Sequence, residues 1–487
     1  MIRNFIILLL LTFLIQGYSQ EVIIPDSNFL TVLIEIGVDS NGDGKISYDE
    51  ASLIRELRID NHQIADLNGI AAFTNIEILD CKNNILDSID LSANSMLKEL
   101  YCQNNDLIYL NVSQNTHLEV IECNSNSLDY LDLSKNISLS ILWCNNNELT
   151  ELDVSNNVDL KTLVCGNNLL SEVDITKNKS LIIFYCYNNF LADFDLSQNS
   201  LLEILNCSGN LLSNLDVSEN PRIYSLACDT NNLNHLDLSN NKWITHLFCR
   251  SNELTSLLLH EESILQYIDC SDNLLDSINL SNCDNLLSLV CNDNNLTGLI
   301  LNNSELRWLI CSNNQITKLD VSNCVELLEL ISSGNMLETL DLSRNTKLTS
   351  CRSNSCGIID LSNMPGLNRV CVSIVPFPTP EMITSVNTSG SPNVYFEACS
   401  LNATDQLNYS RFAVKIFPNP TNGLLTIETD IADNYWIEIT SMNGQLYHRS
   451  EMKGMQKQLD LSHLEYGLYL LVLQSKGLIR TIKLAIF

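Results

Sequence analysis

Apolar residues recur along most of this chain with a period of 21 residues. The repeating unit reads L-x-x-L-x-C-x-x-N-x-L-x-x-L-D-L-S-x-N, and eleven Cys occupy its sixth position at equal spacing from Cys81 to Cys291. Cys311 follows after 20 residues, Ser332 takes the position in the next copy, and less regular steps lead to Cys351 and Cys371. Because the side chains of a strand alternate between its faces, the second Leu and the Cys share one face. A single unit cannot bury that face alone, so the period predicts a stack of short coils.

An Asn stands three residues after each of these positions between Cys81 and Cys351. Its amide can hydrogen-bond backbone groups of its own coil and of a neighbouring coil, which satisfies polar groups that a tight bend would otherwise bury without a partner. This pattern resembles the bacterial 21-residue class of leucine-rich repeats. The resemblance covers about residues 54–372 and implies a β-rich solenoid of about 16 coils, with Ile59 in the Cys position of the first coil.

The repeat explains most of the 18 Cys. We interpret the Cys of the repeat position, here called the Cys ladder, as small apolar side chains in a tapered core. Neighbouring thiols in such a stack lie within disulfide range by spacing, yet their parallel side-chain directions disfavour bonding. A redox or metal-binding ladder is the alternative, although no Cys-x-x-Cys spacing occurs. Cys371 and Cys399 are instead a candidate disulfide that closes the last coil.

The N-terminal residues have the pattern of an export signal. Arg3 gives a short positive region, residues 5–15 are apolar, and Gly17 and Ser19 form a small-x-small cleavage site. The apolar stretch is too short to span a bilayer as a helix. We therefore expect a signal peptide over residues 1–19, a mature chain that begins at Gln20, and no transmembrane helix.

Residues 39–50 match the calcium-loop spacing D-x-[DN]-x-[DN]-G-x5-E at every fixed position. Ca²⁺ prefers about six to eight oxygen ligands. The residues that could supply them, through side chains or a backbone carbonyl, are Asp39, Asn41, Asp43, Lys45, Ser47 and Glu50. Apolar spacing predicts helices over residues 26–36 and 49–57, so residues 20–53 are expected to form a helical cap with an EF-hand-like loop. The alternative is an Asp- and Asn-rich turn that caps the solenoid without binding a cation.

Acidic residues outnumber basic ones, 58 to 27, and give a formal net charge of −31. This balance argues against nucleic acid and anionic membranes as partners held by charge. Ten Asp occupy the D-L-S position of the repeat, where stacked coils would bring like charges close together. Hydrogen bonds from nearby Ser, Asn or backbone N–H groups would relieve the repulsion, and weak binding of divalent cations is the alternative.

The residues beside the buried Leu of each first strand should face outward, and aromatic side chains are frequent among them. They are Tyr101, Trp143, Tyr185, Tyr187, Phe248, Tyr267 and Trp308. Exposed aromatic residues on a rigid scaffold suit the binding of proteins and also stack on sugars. The sequence therefore predicts an aromatic-rich concave face that binds a protein or glycan ligand. The alternative is that another part of the chain, or a second copy, covers this face.

The repeat is expected to end at residue 372. Residues 373–410 are richer in Pro, Thr and Ser and indicate a C-terminal cap and linker, and residues 411–487 alternate short strands with turns, which is typical of a small all-β sandwich. The motifs of this last segment are Phe417–Gly423, Met442–Gln445 and Gly467–Tyr469, with Lys483 near the end. They resemble the C-terminal sorting domain of type IX secretion. The resemblance implies passage across the outer membrane by that machinery, followed by attachment at the cell surface or release.

No motif for catalysis stands out in the sequence. The seven His follow neither a zinc-protease pattern nor the repeat, and no G-x-S-x-G is present. We therefore expect no enzyme and predict a secreted or cell-surface binding protein that mediates protein or glycan recognition and adhesion. The alternative is a structural surface-layer protein without a single defined ligand.

Overall fold

The computed structural model describes residues 20–348, 351–352, 355–373, 377–378, 382, 385–399, 414–419, 421, 423–441, 445–475 and 478–486. The predicted signal peptide and the end of the predicted linker, residues 400–410, lie outside this range. The chain divides into two compact units, Met1–Asn232 and Leu233–Phe487. None of the helices in the described part has the length and hydropathy that crossing a bilayer requires.

Short helical segments lie before the first strand of the first unit and between its first and second strands. They are α1 (Ser27–Glu35), α2 (Tyr48–Ser52) and a 3₁₀ turn at Ile70–Ala72. The carboxylate of Asp26 caps α1 by accepting backbone N–H groups, and Ser47 and Glu50 cap α2 with a reciprocal pair of hydrogen bonds. The second helix is shorter than the predicted 49–57, because the chain enters its first strand at residue 56.

Nine short strands follow in the first unit, one from each coil. They are β1 (Glu56–Arg58), β2 (Ile78–Asp80), β3 (Glu99–Tyr101), β4 (Val120–Glu122), β5 (Ile141–Trp143), β6 (Thr162–Val164), β7 (Ile183–Tyr185), β8 (Ile204–Asn206) and β9 (Ser225–Ala227). Each strand pairs in parallel with the next, and the pairing joins positions one repeat apart. The middle residue of each strand is buried, as the alternation of the repeat predicts.

The second unit continues the repeat with two strand segments in some coils. Its strands are β10 (His235–Leu238), β11 (His246–Phe248), β12 (Ser256–Leu259), β13 (Tyr267–Asp269), β14 (Ser288–Val290), β15 (Gly298–Ile300), β16 (Trp308–Ile310), β17 (Lys318–Asp320), β18 (Glu329–Ile331), β19 (Thr339–Asp341), β20 (Cys351–Arg352), β21 (Ser355–Cys356), β22 (Ile358–Asp360), β23 (Arg369–Val372), β24 (Val386–Asn387) and β25 (Tyr395–Ala398). Strands β11, β13, β14, β16, β18, β22 and β24 form one parallel series in that order. The strands from the second halves of coils also pair in parallel: β10 with β12, β15 with β17, β19 with β23, and β23 with β25.

The end of the Cys ladder differs from the sequence prediction. Cys351 belongs to a two-stranded antiparallel pair, β20 with β21, and Cys371 pairs with Asp341 among the second-half strands. Leu361 takes the ladder position after Ser332, because β22 rather than β20 pairs with β18. This coil is 29 residues long instead of 21, and the antiparallel pair lies within its additional length. Parallel pairing then continues beyond residue 372, to β25.

The remaining ladder Cys form the core as predicted. Their side chains are fully buried from Cys81 to Cys228 in the first unit and from Cys249 to Cys311 in the second, and these Cys are not joined in disulfides. Burial raises the pKa of the thiols, to about 12 for Cys81 and for Cys123. Because the thiolate is the reactive and metal-binding form, these side chains act as apolar filling rather than as a chemical site.

The Asn of the repeat joins neighbouring coils, as its spacing predicts. The Nδ2 group of Asn147 donates to the carbonyl oxygen of its own Cys144 at 3.0 Å and to that of Cys123 in the preceding coil at 3.1 Å. Its Oδ1 accepts the backbone N–H of Leu128 at 3.0 Å. The same set of bonds recurs at Asn105 and at other Asn of this position. Each coil therefore has its bend satisfied by one buried amide.

The C-terminal segment of the second unit is a five-stranded antiparallel sheet. Its strands are β26 (Val414–Phe417), β27 (Leu424–Ser441), β28 (Leu446–Asp460), β29 (Gly467–Ser475) and β30 (Leu478–Ile486). Strand β27 pairs with β26 along its first part, with β29 along its last part and with β28 along both. The five strands therefore belong to one hydrogen-bonded sheet, because the long strands β27 and β28 run through both parts, and apolar residues of both parts share one core.

Candidate binding face

The aromatic residues singled out from the sequence lie on the outward side of the first strands. Tyr101, Trp143 and Tyr185 end strands β3, β5 and β7, and Tyr187 follows two residues later. In the second unit Phe248 ends β11, and Tyr267 and Trp308 begin β13 and β16. None of the seven is buried; Trp143 is 41% exposed and Phe248 37%.

Aromatic residues occupy every second coil of one row in the first unit. In the register of the paired strands, Tyr101 lies beside Glu122, Glu122 beside Trp143, Trp143 beside Val164, and Val164 beside Tyr185. Paired strands are about 4.8 Å apart, so successive aromatic residues of this row are about 9.6 Å apart along the stack. Val164 was expected to be exposed, yet it is 6% exposed, because an aromatic residue flanks it on each side.

A glycine gives the aromatic row its local shape near Tyr187. The ring of Tyr187 lies against Gly166, so close that a Cβ atom added to this glycine would sit 2.6 Å from the ring. The rings of Tyr185 and Tyr187 are 6.5 Å apart between centroids. Sequence reasoning missed the role of Gly166, although its position 21 residues before Tyr187 places the two in neighbouring coils.

A row of uncharged, mainly aliphatic residues runs beside the aromatic row. It consists of the first residues of β4 to β8, which are Val120, Ile141, Thr162, Ile183 and Ile204, and each of them is partly exposed. Together the two rows form a strip across neighbouring strands that is apolar apart from Thr162 and Glu122, and we call it the apolar strip. The sequence analysis missed this strip because it considered the aromatic positions alone.

A row of amide side chains lies on the other side of the aromatic row. Gln103, Asn124 and Asn145 each follow the ladder Cys of their coil, and their side-chain oxygens are buried without a hydrogen-bond partner. Asn145 as a whole is 9% exposed. The Nε2 group of Gln103 donates to the carboxylate of Glu122 at 2.9 Å, and burial raises the pKa of that carboxyl. We call these three residues the amide row.

The second unit carries a smaller aromatic cluster on its first strands. The rings of His246 and Tyr267 stack with centroids 4.8 Å apart, and Phe248 lies 6.5 Å from His246. Trp308 is two strands from Tyr267, with Ser288 between them in register. The predicted aromatic residues therefore fall into two groups, one in each unit.

The Asp of the D-L-S position are stabilised by local hydrogen bonds. In each described coil that has this Asp, its Oδ1 accepts the backbone N–H of the residue two positions later, as Asp153 does from Ser155 at 2.9 Å. Asp360 makes the same bond to Ser362, but it does not occupy the predicted D-L-S position, because its strand pairs with the first strand of the preceding coil. The hydroxyl and backbone N–H of Ser155 lower the pKa of Asp153 more than the neighbouring Asp174 and Asp132 raise it. These bonds agree with the first of the two predictions, in which hydrogen bonds from Ser, Asn or backbone N–H groups relieve the repulsion between stacked Asp.

The predicted calcium loop is closed by its own hydrogen bonds. Asp39 accepts backbone N–H groups from Gly42 and Gly44, each at 2.8 Å. Burial alone would raise the pKa of Glu50, but hydrogen bonds from Ser47 and Ser40 outweigh it and lower the pKa to about 2. The side-chain oxygens of Asp39, Asp43 and Glu50 do not all come within 4.8 Å of one another in this conformation.

Among the described residues, one group of three potential ligands is that close, and it contains a disulfide. The group is Cys371, Glu397 and Cys399. Cys371 and Cys399 are bonded with an S–S distance of 2.02 Å, which leaves neither sulfur as a thiolate ligand. The bond joins strand β23 to the residue that follows β25, at the end of the second-half strands.

Comparison with known proteins agrees with this architecture. Residues 415–486 match the model of the secretion system C-terminal sorting domain family, which confirms the predicted type IX sorting domain. Such a domain implies export and a location at the cell surface or outside the cell. No curated protein matches the chain in sequence.

Two solved structures from Listeria monocytogenes are similar in fold. One is the functional domain of InlJ, described as including a cysteine ladder, with 22% identity, a TM-score of 0.59, and coverage of 96% of this chain and 100% of that chain. The other is the internalin InlF, with 20% identity, a TM-score of 0.51, and coverage of 64% of this chain and 97% of that chain. At these identities the likeness establishes the fold, a leucine-rich-repeat solenoid, and leaves the ligand to be argued from the surface.

Proposed function

We propose that this protein is an exported, non-enzymatic leucine-rich-repeat protein that binds a protein or glycan ligand through the outward face of its first strands. The main support is the apolar strip of the first unit, where aromatic and aliphatic side chains remain exposed on neighbouring strands. Contiguous exposed apolar surface on a soluble protein marks an interaction site more often than isolated exposed residues do. The sorting domain supports the location at which such a ligand would be met.

The strip also has the residue types that dominate binding energy at interfaces. Trp and Tyr supply large contact areas with few rotatable bonds, and they are enriched among the residues whose removal weakens binding most. Trp143, Tyr185 and Tyr187 are such residues on a scaffold whose backbone is fixed by parallel pairing and buried amides. A preformed face of this kind loses little conformational entropy when a ligand binds.

An array of immobilised proteins and glycans tests this proposal. The full chain and a variant with Trp143→Ala, Tyr185→Ala and Tyr187→Ala are compared for bound spots. A matched control carries Tyr109→Ala and Tyr130→Ala, since these side chains are 57% and 46% exposed in the second halves of their coils. We expect the triple variant to lose the spots that the wild type and the control retain. Unchanged spots in the triple variant would refute the proposed face.

The second candidate, a structural surface-layer role, makes a different prediction in the same experiment. A surface-layer protein would bind no particular spot and would instead associate with itself as its concentration rises. Light scattering of the wild type measures that association directly. Self-association that survives the triple substitution, without any bound spot, would favour the structural role over ligand binding.

The proposal includes a calcium ion in the N-terminal cap, held by oxygens of Asp39, Asn41, Asp43, Lys45, Ser47 and Glu50. The loop supports this in part, because Gly42 and Gly44 adopt positive φ of 76° and 77° and allow the sharp turn that such loops need. The carboxylate of Glu50 instead bonds Ser40 and Ser47. Binding would therefore require Glu50 to exchange some of these bonds for the ion.

Calorimetric titration with CaCl₂ tests the cap. We expect heat of binding and a raised unfolding temperature for the wild type, and neither for Glu50→Gln. Glu35→Gln is the matched control, since Glu35 is an exposed carboxylate at the end of α1. Absence of both effects in the wild type would establish the loop as a cap that needs no ion.

A further inference from the structure

We infer that the ligand of the first unit is a neutral, linear β-1,4-linked polysaccharide lying along the stack of coils. This inference rests on the proposed function and names the class of ligand. The rest of the apolar strip would suit many partners, but two features of the aromatic row and its neighbours restrict the choice. They are the spacing of the aromatic residues and the unpartnered oxygens of the amide row.

The spacing of the row matches an alternating polymer. Tyr101, Trp143 and Tyr185 repeat every two coils, about 9.6 Å, with the non-aromatic Glu122 and Val164 between them. In a β-1,4-linked chain each sugar is turned by about half a turn relative to the last, so every second ring presents the same face. Two such rings are about as long as two coils. Each aromatic side chain would then stack on one ring and skip the next.

An extended peptide does not fit the same row. Its side chains repeat on one side every two residues, or about 6.6 Å, which falls out of step with a spacing of about 9.6 Å. An amphipathic helix could lay its apolar stripe along the aromatic row, but its flanks carry hydrogen-bond donors only where its sequence places them. A glycan carries hydroxyl groups on every ring, which favours a glycan over a helix beside the amide row.

The amide row supplies acceptors that a glycan would satisfy. Gln103, Asn124 and Asn145 lie in three consecutive coils, about 4.8 Å apart, and their buried oxygens have no donor. Asn145 is more than nine-tenths buried. It lies two residues after Trp143, and the parallel backbone bonding of this segment continues to Asn146. The side chains of Trp143 and Asn145 therefore point to the same side of the extended segment.

Side-chain oxygens without a partner also occur at fully buried Asn of the repeat, such as Asn94, Asn115 and Asn136, so a missing partner alone does not indicate a ligand. The amide row differs because its side chains lie on the outward side of the first strands, where a ligand would approach, and buried polar atoms are normally hydrogen-bonded. The hydroxyl groups of successive sugars would supply the donors that these oxygens lack.

The charge of the surroundings restricts the polymer further. Glu122 stands in the aromatic row, and Glu99 accepts the hydroxyl of Tyr101 at 2.9 Å. A sulfated or uronic acid polymer would meet these carboxylates and the net charge of −31. A neutral polymer, such as a glucan or a chain of N-acetylglucosamine, meets no such repulsion.

The geometry predicts how affinity depends on chain length. Rings one, three and five of an oligosaccharide would stack on Tyr101, Trp143 and Tyr185. The affinity of the full-length protein should therefore rise when the oligosaccharide reaches three sugars and again when it reaches five, by roughly tenfold at each step. Titration calorimetry with cello- and N-acetylchito-oligosaccharides of two to six sugars measures this. Malto-oligosaccharides of equal length, which are α-1,4-linked, are the control and should not bind.

A swap variant tests the spacing without changing composition. Glu122→Trp combined with Trp143→Glu keeps one aromatic residue and one carboxylate in the row but destroys the two-coil period. We expect it to lose the affinity step at three sugars, because ring three would then meet a carboxylate at position 143, while its circular dichroism stays that of the wild type. Equal binding of malto- and cello-oligosaccharides, or an unchanged step at three sugars in the swap variant, would overturn the inference. If the wild type binds none of these oligosaccharides, the inference fails. If the triple variant still loses array spots that the wild type binds, the proposed function stands.

Discussion

The buried Asn147 offers a direct test of what joins neighbouring coils. Asn147→Ala removes two close hydrogen bonds to carbonyl oxygens, those of Cys123 and Cys144, a longer one to that of Asn145 at 3.5 Å, and one from the N–H of Leu128. The side chain is 9% exposed, so water cannot readily replace it. The variant should therefore loosen the contact between two adjacent coils while leaving the apolar core unchanged.

The lost bonds do not count equally, and the long one to Asn145 adds least because that carbonyl also accepts the N–H of Ser125 at 2.9 Å. The carbonyl of Cys123 also accepts from Asn126 at 2.9 Å, and that of Cys144 from Asn168 at 3.1 Å, so each keeps one partner. The N–H of Leu128 keeps none among the hydrogen bonds of the described residues. An orphaned buried donor costs about 1–3 kcal/mol, and the two weakened carbonyls add about 0.5 kcal/mol each. We expect a loss of about 2–4 kcal/mol in the free energy of opening these coils.

Native-state hydrogen exchange measures this loss at the right place. Repeat arrays open locally, so a single unfolding midpoint would average over many coils. The Leu128 amide should exchange faster in Asn147→Ala by the factor that corresponds to about 2–4 kcal/mol. The control is Asn146→Gly, because Asn146 is exposed and has a positive φ of 56° that glycine adopts freely. Exchange at Leu128 that is unchanged in Asn147→Ala, or raised equally in the control, would refute the reasoning.

Three further outcomes concern the ladder, the C-terminal closure and the cap. Ser332 is fully buried with a hydroxyl that has no partner, so Ser332→Ala should raise the free energy of opening by about 1 kcal/mol; hydrogen exchange in that coil would show slower opening, and faster opening would contradict this. Cys371→Ser with Cys399→Ser removes a bond of sequence separation 28 and should destabilise the end of the solenoid by about 3.5 kcal/mol in denaturant titration; an equal midpoint with and without the bond would contradict this. The pKa of Glu50 is about 2 in the folded chain against an ordinary 4.5. Its contribution to the stability of the cap is therefore complete above about pH 4.5 and disappears as the pH falls toward 2. Hydrogen exchange of the cap amides in the wild type and in Glu50→Gln should converge over that range. A difference that persists at pH 2 would contradict the assignment.

The period of the sequence was enough to predict most of the solenoid. A strict 21-residue spacing forces equivalent residues of neighbouring coils into register, so the burial of Leu142 and Cys144 and the bonding of Asn147 follow from position alone. The same argument failed where the spacing changed. The coil from Ser332 to Leu361 contains an antiparallel pair, and nothing in the period says which later residue resumes the ladder.

The candidate site was predictable as a face but not in its details. Strand alternation places Trp143 and Tyr185 outward, yet it does not say that two aromatic neighbours will cover Val164. Nor does it say that the ring of Tyr187 will lie against Gly166. These features depend on side-chain contacts between coils, 21 residues apart, and on which rotamers share the space. The alternation of aromatic and non-aromatic residues in this row becomes visible when the 21-residue repeats are aligned beneath one another.

The two kinds of Cys in this chain show how position decides chemistry. A ladder Cys such as Cys144 is fully buried, and burial raises the pKa of its thiol well above the usual value, so almost none of it is the thiolate that disulfide exchange requires. Cys399 lies past the last parallel strand, is partly exposed and is bonded to Cys371. Cys371 is itself buried at 8% exposure and lies in β23 between two paired strands, so burial alone does not separate the two kinds of Cys. An exported protein can therefore carry a row of closely spaced buried thiols and one disulfide together, because only the disulfide has a partner Cys beyond the last parallel strand.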